Sequence, residues 1–442
     1  MKNDYLVEKK PLPALTLFVI PLMLGNMFQQ LYNLADSAIV GQFVGEQAVA
    51  AVGACLALTN LFLFFANGGS VGASVLVGRH FGAKDYRAMQ TTAFTALLTM
   101  LALSAVLGTV GFFLGKSFLL LLKTPADVVP FAQTYLKIYF LGLPFIFLYN
   151  CCSALFNALG KSRYPLLFLT ISSVLNVALD LLFVGMLRRG IAGVAWATLI
   201  SQAVAGLFSF AMFMRLLAGL SIGRTEPFSK QEAARIFKIA LPSILQQVTI
   251  SLGLLLIQSC VNRFGSQALA GYAVGSRIEA LGTTAMISCS TAISMYVAQN
   301  LGAGKTERIP QGFRAANTIV LVFCVVFFIV IRLFKSAIIL FFLGKDCSDM
   351  AFSTANGYLS YMSVVLCIMG FKQVSDGVLR GARLMKFFTV ASLVNMALRV
   401  AYPNIFAPYF GISTVWIANP IGWTASLSIA LYAYKKGLWK QQ

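Results

Sequence analysis

Twelve long apolar runs constrain this chain more than any other feature. They cover approximately residues 14–40, 48–75, 90–115, 130–155, 165–187, 191–214, 236–262, 268–297, 314–340, 350–374, 387–408 and 412–434. About 20 mostly apolar residues in a helix cross the hydrocarbon core of a bilayer. In that core every backbone N–H and C=O needs a partner inside the protein, and a helix supplies them within one segment. The composition agrees, with 59% hydrophobic and 11% charged residues over 442 positions. Soluble domains carry about 25% charge, and cores of this total length in water would expose more surface than so few charges cover. The first run follows Met1–Lys10, is too long for a signal peptide and has no small-residue cleavage site, so it reads as a retained span. The expectation is an all-α membrane protein of twelve transmembrane helices.

A net charge of +20 invites a nucleic-acid partner, but the basic residues recur between the apolar runs instead of forming one patch. No nucleic-acid binding is expected. With the N-terminus inside, inner loops and tails hold 22 of the 34 Lys and Arg and outer loops hold 10, leaving Arg277 and Lys372 within or near spans. That asymmetry follows the positive-inside rule. It places a multi-pass chain in the cell membrane with both termini cytoplasmic. Seven of the eight cysteines lie in apolar runs, where Cys acts as a small hydrophobe, and Cys347 and His80 stand alone at loops. No zinc, haem or iron–sulfur site and no other cofactor is expected. The absence of a P-loop lysine motif leaves ATP drive unsupported, and no nucleophile–base pair or His/Asp cluster marks an enzyme.

The chain is also duplicated. At an offset of 220, Gly45, Gln47, Ala48 and Ala50 meet Gly265, Gln267, Ala268 and Ala270; Ser70, Ser74 and Val77 meet Ser290, Ser294 and Val297; Gly82-Ala83 meets Gly302-Ala303, and Trp196 meets Trp416. At 219, Asn176 meets Asn395 and Ala178-Leu179 meets Ala397-Leu398. Six spans per copy is an even number, so both copies enter the membrane in the same direction as parallel repeats. The expected domains are an N-terminal six-helix bundle at 1–215, a cytoplasmic linker at 216–235 and a C-terminal six-helix bundle at 236–442. A central cleft between them would suit alternating access by a monomer.

Polar residues inside spans are costly and often functional. In span 1, Asn26, Gln29, Asn33 and Asp36 are spaced three, four and three residues apart, on one helix face. Span 5 carries Ser172, Asn176 and Asp180 at i, i+4 and i+8; span 6 carries Thr198 and Gln202 one turn apart. Asp36, Asp180 and Thr198 each lie about seven residues from the outer end of their span, roughly 10 Å deep. Two carboxylates, a carboxamide and a hydroxyl at one level form a hard-oxygen set for a small cation such as Na⁺. Carboxylates paired in low dielectric resist joint ionisation, which makes a proton the alternative occupant. A buried hydrogen-bond network that merely joins helices is the plainer alternative. Pro21 can bend span 1. The positions paired with Asp36 and Asp180 in the second copy are Leu256 or Ile257 and Arg399, so the copies are chemically unequal.

The run Asn33–Gly41 (NLADSAIVG), followed by Gly45 and Ala48–Gly53, resembles the first-span signature of the multidrug and toxic compound extrusion transporters. Arg277–Ala280, Val297–Gly304, Val77–Ala83 and Leu379–Ala382 extend the resemblance over essentially the whole chain. It implies two six-helix bundles that export organic cations and other amphipathic drugs, driven by inward Na⁺ or H⁺. It also implies a cation or proton site at Asp36, Asn176, Asp180 and Thr198, helix bending at Pro21, and Tyr135 beside the site. Some branches couple through a span-7 glutamate. Here Gln247 and Gln258 stand on a polar face of span 7 and supply no acid, so a second coupling site is not expected. Glu279 in span 8, near Arg277, is a candidate for the substrate cavity, though pairing within the protein explains it more simply. Lys372 and Asp376 have ion-pair spacing at the inner end of span 10. The competing function is a flippase for lipid-linked oligosaccharide or another amphipathic metabolite, which a strongly cationic cavity would favour.

Overall fold

Among the described residues the apolar runs fold as twelve long helices: α1 (Pro11–Phe43), α2 (Glu46–Gly82), α3 (Tyr86–Leu121), α4 (Val129–Ala158), α5 (Arg163–Asp180), α6 (Gly190–Ala218), α7 (Lys230–Asn262), α8 (Gly265–Gly302), α9 (Arg308–Leu343), α10 (Asp349–Gly381), α11 (Met385–Phe410) and α12 (Ser413–Lys435). A short helical turn, Tyr5–Glu8, precedes them. The computed structural model describes residues 5–122, 124–220, 225–344 and 347–441; the side chains of Leu31, Asn33, Leu34, Ala35, Ser37, Ala38, Glu46, Gln47, Val49, Ala57 and Gln441 lie outside the described set. Among the described residues, ten helices are long and apolar enough to cross a membrane, all but α11 and α12. Those two carry Asn395, Arg399 and Asn404, and Thr414, Asn419 and Thr424, which lower their hydropathy. Burial is inverted relative to a water-soluble bundle. On α9, Leu321, Val322, Val325, Val326, Ile329 and Leu333 are all exposed, a continuous apolar strip that fits lipid and not water.

The helices group into two compact units, residues 20–244 and residues 5–19 with 245–442. In the first, α4 packs on α2, α3 and α6, while α5 packs on α6. In the second, α10 packs on α8, α9 and α12, while α11 packs on α12. The same neighbours recur six helices later, so the duplication read in the sequence extends to the packing order.

The first helix of each copy is divided. Residues 11–19 of α1 cluster with the second unit and the rest with the first, and α7 changes unit after Ile244. Both changes fall beside a proline within the helix, Pro21 and Pro242. Proline has no N–H for the carbonyl four residues back, and its ring crowds that carbonyl. The start of each helix is pinned by polar contacts. In the second unit Asn300 Nδ2 donates to the Leu6 carbonyl at 3.1 Å, Lys305 Nζ to that of Val7 at 3.3 Å, and Arg308 to that of Lys9. In the first unit the Ser229 hydroxyl accepts from the Glu232 N–H at 3.4 Å, a serine cap on α7. Thr95 Oγ1 accepts from the Ser229 N–H at 3.0 Å. The Glu232 carboxylate accepts from Thr92 at 3.0 Å, pairs with Arg235, and lies 3.7 Å from His80 Nε2.

Candidate functional site

The polar stripe on α5 faces inward. Ser172, Asn176 and Asp180 are 5%, 1% and 0% exposed, while Leu167, Ile171 and Val174 on the other side are exposed. The stripe ends where α5 passes into a π-helical turn, Leu181–Met186. Such turns widen the helix by one residue and recur at functional sites. Ser172 ties the stripe to α6 by donating to the Ser201 carbonyl at 3.3 Å.

Asn176 joins α5 to α6 at the level of Asp180. With its amide nitrogen toward Asp180, it donates to Oδ2 at 2.8 Å, and its oxygen accepts from the Thr198 N–H at 3.3 Å. The opposite orientation sets the amide oxygen against a carboxylate, so the bonding network selects the first. From α1, Asp36 approaches Asp180 to hydrogen-bonding reach. Asp36 Oδ1 and Asp180 Oδ1 are both buried with no donor among the described residues. Carboxylates are acceptors only, and an unmet buried acceptor is costly. A shared proton or a small cation is what such a pair requires. Tyr32, one turn before Asp36, stands beside the Thr198 side chain and lies within electrostatic reach of both carboxyls.

Tyr135 stands within electrostatic reach of Asp36 and stacks on Tyr139 with ring centroids 6.4 Å apart. Tyr135, Tyr139, Thr198 and Gln202 line a small cavity between α4 and α6. The structure thus gathers Asp36, Asn176, Asp180, Thr198 and Tyr135, with Gln202 one turn away. Gln29 lies two turns before Asp36 on α1 and has a polar partner of its own. The side chain of Asn33 lies outside the described residues. Tyr32 is a site residue that the sequence does not single out. The signal for it is its i, i+4 relation to Asp36, hidden because an aromatic in a span reads as packing.

Gln247, Gln258 and Glu279 belong to the other unit. Gln258 donates to Asn262 on its own helix at 3.0 Å, and Gln247 is half-buried beside Gln246, which donates to Ser392 at 3.0 Å. Glu279 accepts a hydrogen bond from the Tyr358 hydroxyl and feels the charge of Arg399. Arg277, its neighbour in sequence, lies over the Phe342 ring instead, 5.9 Å from the centroid. Two residues apart on a helix, Arg277 and Glu279 do not share a face. Lys372 and Asp376 form an ion pair at 2.6 Å, with side chains only 6% and 2% exposed. The pair is therefore inside the unit and not at an exposed edge. Among the described residues no group of three or more His, Cys, Asp or Glu gathers as for a metal.

The MatE family model matches residues 21–182 and again residues 242–403, two segments 221 residues apart (242 − 21). The chain belongs to the MatE family, the multidrug and toxic compound extrusion transporters. A probable multidrug resistance protein of Bacillus subtilis strain 168, YpnP, is 31% identical over 444 residues, covering 100% of this chain and 98% of the relative. The multidrug export protein MepA of Staphylococcus aureus strain MSSA476 is 23% identical, covering 94% and 92%. In fold, the chain superimposes on the outward-facing conformation of a MATE multidrug resistance transporter with a TM-score of 0.91 at 23% identity, covering 100% and 99%. It likewise matches a crystal structure of MATE in the straight conformation with a TM-score of 0.91 at 23% identity, covering 100% of both chains. A MATE protein is a multi-pass membrane transporter and not an enzyme.

Proposed function

We propose that this MATE protein is a secondary active multidrug exporter that moves organic cations and amphipathic drugs out of the cell in exchange for Na⁺ or H⁺, by alternating access. The observation that carries the reading is the facing carboxyl pair of Asp36 and Asp180, each with a buried oxygen that no described donor meets. Asn176 steadies Asp180 through its amide N–H, its own oxygen being engaged by the Thr198 N–H, and the Thr198 hydroxyl adds a further oxygen. The resulting site accepts a small hard cation or a proton and rejects a large organic one. The basic-residue asymmetry supports cytoplasmic termini and a cytoplasmic linker at 216–235, and the duplication supports six-helix bundles at 1–215 and 236–442.

In this mechanism Na⁺ or H⁺ enters from outside and binds at Asp36 and Asp180. Their repulsion is relieved, α1 repacks around Pro21, and drug affinity falls on the outward side. The emptied carrier then turns inward as a monomer. One charge crossing 100 mV supplies about 2.3 kcal/mol, roughly 50-fold in concentration for one-to-one exchange of a neutral drug. The test is efflux of a fluorescent organic cation from proteoliposomes under separate Na⁺ and pH gradients. Asp36→Asn should abolish ion-driven transport while leaving the protein inserted. Fully coupled efflux by that variant sinks the proposal.

A further inference from the structure

The second unit carries a different set of charges at the equivalent level. An offset of 221, one more than the 220 that pairs Trp196 with Trp416, pairs Gly190-Ile191, Val194, Ala197 and Thr198 with Gly411-Ile412, Val415, Ala418 and Asn419. On the preceding helices an offset of 219 pairs Asn176 with Asn395 and Asp180 with Arg399. Arg399 Nε donates to Asn419 Oδ1 at 2.8 Å, so the partners of Asp180 and Thr198 meet, as the originals do through Asn176. The guanidinium lies over the Trp423 ring, 5.8 Å from its centroid. Gly422 makes room for it, since a Cβ there would stand 2.7 Å from Arg399 Cγ.

The acid has moved as well. The residue 221 positions after Asp36 is Ile257, buried and apolar. In the first unit the Tyr139 hydroxyl donates to the Thr59 carbonyl at 3.5 Å. Its partner at 219, Tyr358, donates instead to the carboxylate of Glu279, which stands 220 residues after Thr59. Glu279, Tyr272 and Tyr358 all lie within electrostatic reach of Arg399. The first unit therefore sets two acids together, while the second sets one acid near one arginine. A guanidinium stays protonated and, unlike a bound ion, cannot leave.

We propose that Arg399 is the built-in counterpart of the coupling cation: it holds the second unit permanently in the charge-compensated state that the first reaches only when loaded, which confines ion exchange to Asp36 and Asp180. The proposal rests on the reading of the first unit as the coupling site and adds a residue that sets the number of cations per cycle. Arg399 acts on Glu279 and touches neither drug nor ion, which makes it a positioning residue.

The test uses the full chain in proteoliposomes, with ethidium as substrate and the membrane potential held at zero. Accumulation at equilibrium is measured under Na⁺ and pH gradients applied separately. Arg399→Gln leaves Glu279 to recruit a mobile cation. Ethidium accumulation should then rise about tenfold further for each tenfold gradient, one more cation per cycle. Arg399→Lys, which keeps the fixed charge, should hold the wild-type ratio whatever its rate, and adding Glu279→Gln to Arg399→Gln should restore it. A wild-type ratio in active Arg399→Gln overturns the proposal.

Melting temperatures in detergent decide the matter should Arg399→Gln not transport. Each single neutralisation should lower the midpoint, and the double variant should regain most of the loss. A double variant no more stable than the weaker single also overturns the proposal. Wild-type protein that accumulates ethidium under neither gradient overturns coupling at Asp36 and Asp180 instead. The melting comparison still reports whether Glu279 and Arg399 compensate one another.

Discussion

The two units use one helix plan to solve the same electrostatic problem in opposite ways. In the first, Asp36 and Asp180 bring like charges into contact and leave an oxygen of each unmet. In the second, the place of Asp180 holds Arg399, the place of Asp36 is apolar, and a nearby acid, Glu279, accepts from Tyr358 and lies within electrostatic reach of the arginine. Burying a charge is tolerated only when something compensates it. If the compensation is covalent, the site is finished when the chain folds. If it has to come from solution, the site becomes a sensor of that solution. On the proposed reading, duplication followed by divergence at a few positions turns one copy into scaffold and leaves the other to respond.

The strongest way to break this contrast is to give the first unit the second unit's residue. Asp180→Arg should abolish ion-driven accumulation of ethidium, because Asp36 would then have a permanent partner. The melting temperature of the variant should not rise with Na⁺ or shift with pH, as the wild type's should. A variant that folds and still accumulates ethidium against a gradient would show that Asp180 is structural.

A large effect of another kind is expected in the second unit. A Cβ at Gly275 would run into the Tyr358 ring, which also stacks on Tyr272 and Trp416, at 5.3 and 5.2 Å. Overpacking of this type costs about 1–3 kcal/mol. Gly275→Ala should lower the melting temperature and loosen the hydrogen bond to Glu279, while the ion dependence set by the first unit persists. Loss of that dependence would show that the units are not chemically separate.

How much of this was legible in the sequence follows from what each feature depends on. Helix number and duplication depend on hydropathy and on residue matches along the chain, and both are present in one dimension. The inward stripe Ser172, Asn176, Asp180 depends on a period of 3.6 and is equally readable. Tyr32 and the Glu279–Tyr358–Arg399 group depend on how neighbouring helices are rotated against one another. Glu279 and Arg399 are separated by 120 residues (399 − 279), and Arg277 is the nearer partner along the chain. The π-helical turn after Asp180 has no marker in the run Leu181–Met186, which reads like any other apolar segment.

Within the first unit, Asn176→Ala should shift the proton dependence without abolishing coupling. The carboxamide donates to Asp180 at 2.8 Å and bridges to Thr198. A hydrogen bond to a charged group contributes about 1.5–3 kcal/mol and favours the ionised carboxylate; without it Asp180 holds a proton more tightly, so the H⁺ needed for half-maximal ethidium efflux should fall roughly tenfold. The equivalent change in the second unit, Asn395→Ala, should leave that value unmoved. Equal shifts in both variants would point to general loosening of the helices.

The smallest effect separates the two prolines. Pro21 and Pro242 lie at matching places in α1 and α7, each beside the change of unit. Replacing either with alanine supplies an N–H for the carbonyl of Leu17 or Lys238 and favours a straighter helix. Only α1 continues from its proline to a carboxylate of the proposed ion site, Asp36. Hinge changes alter rate and apparent affinity together. Pro21→Ala should therefore slow ion-driven efflux and shift its ion dependence by roughly threefold, and Pro242→Ala should slow it without the shift. If both prolines move the ion dependence equally, bending of α1 is not what connects Asp36 to transport, and the asymmetry between the units is confined to their charges.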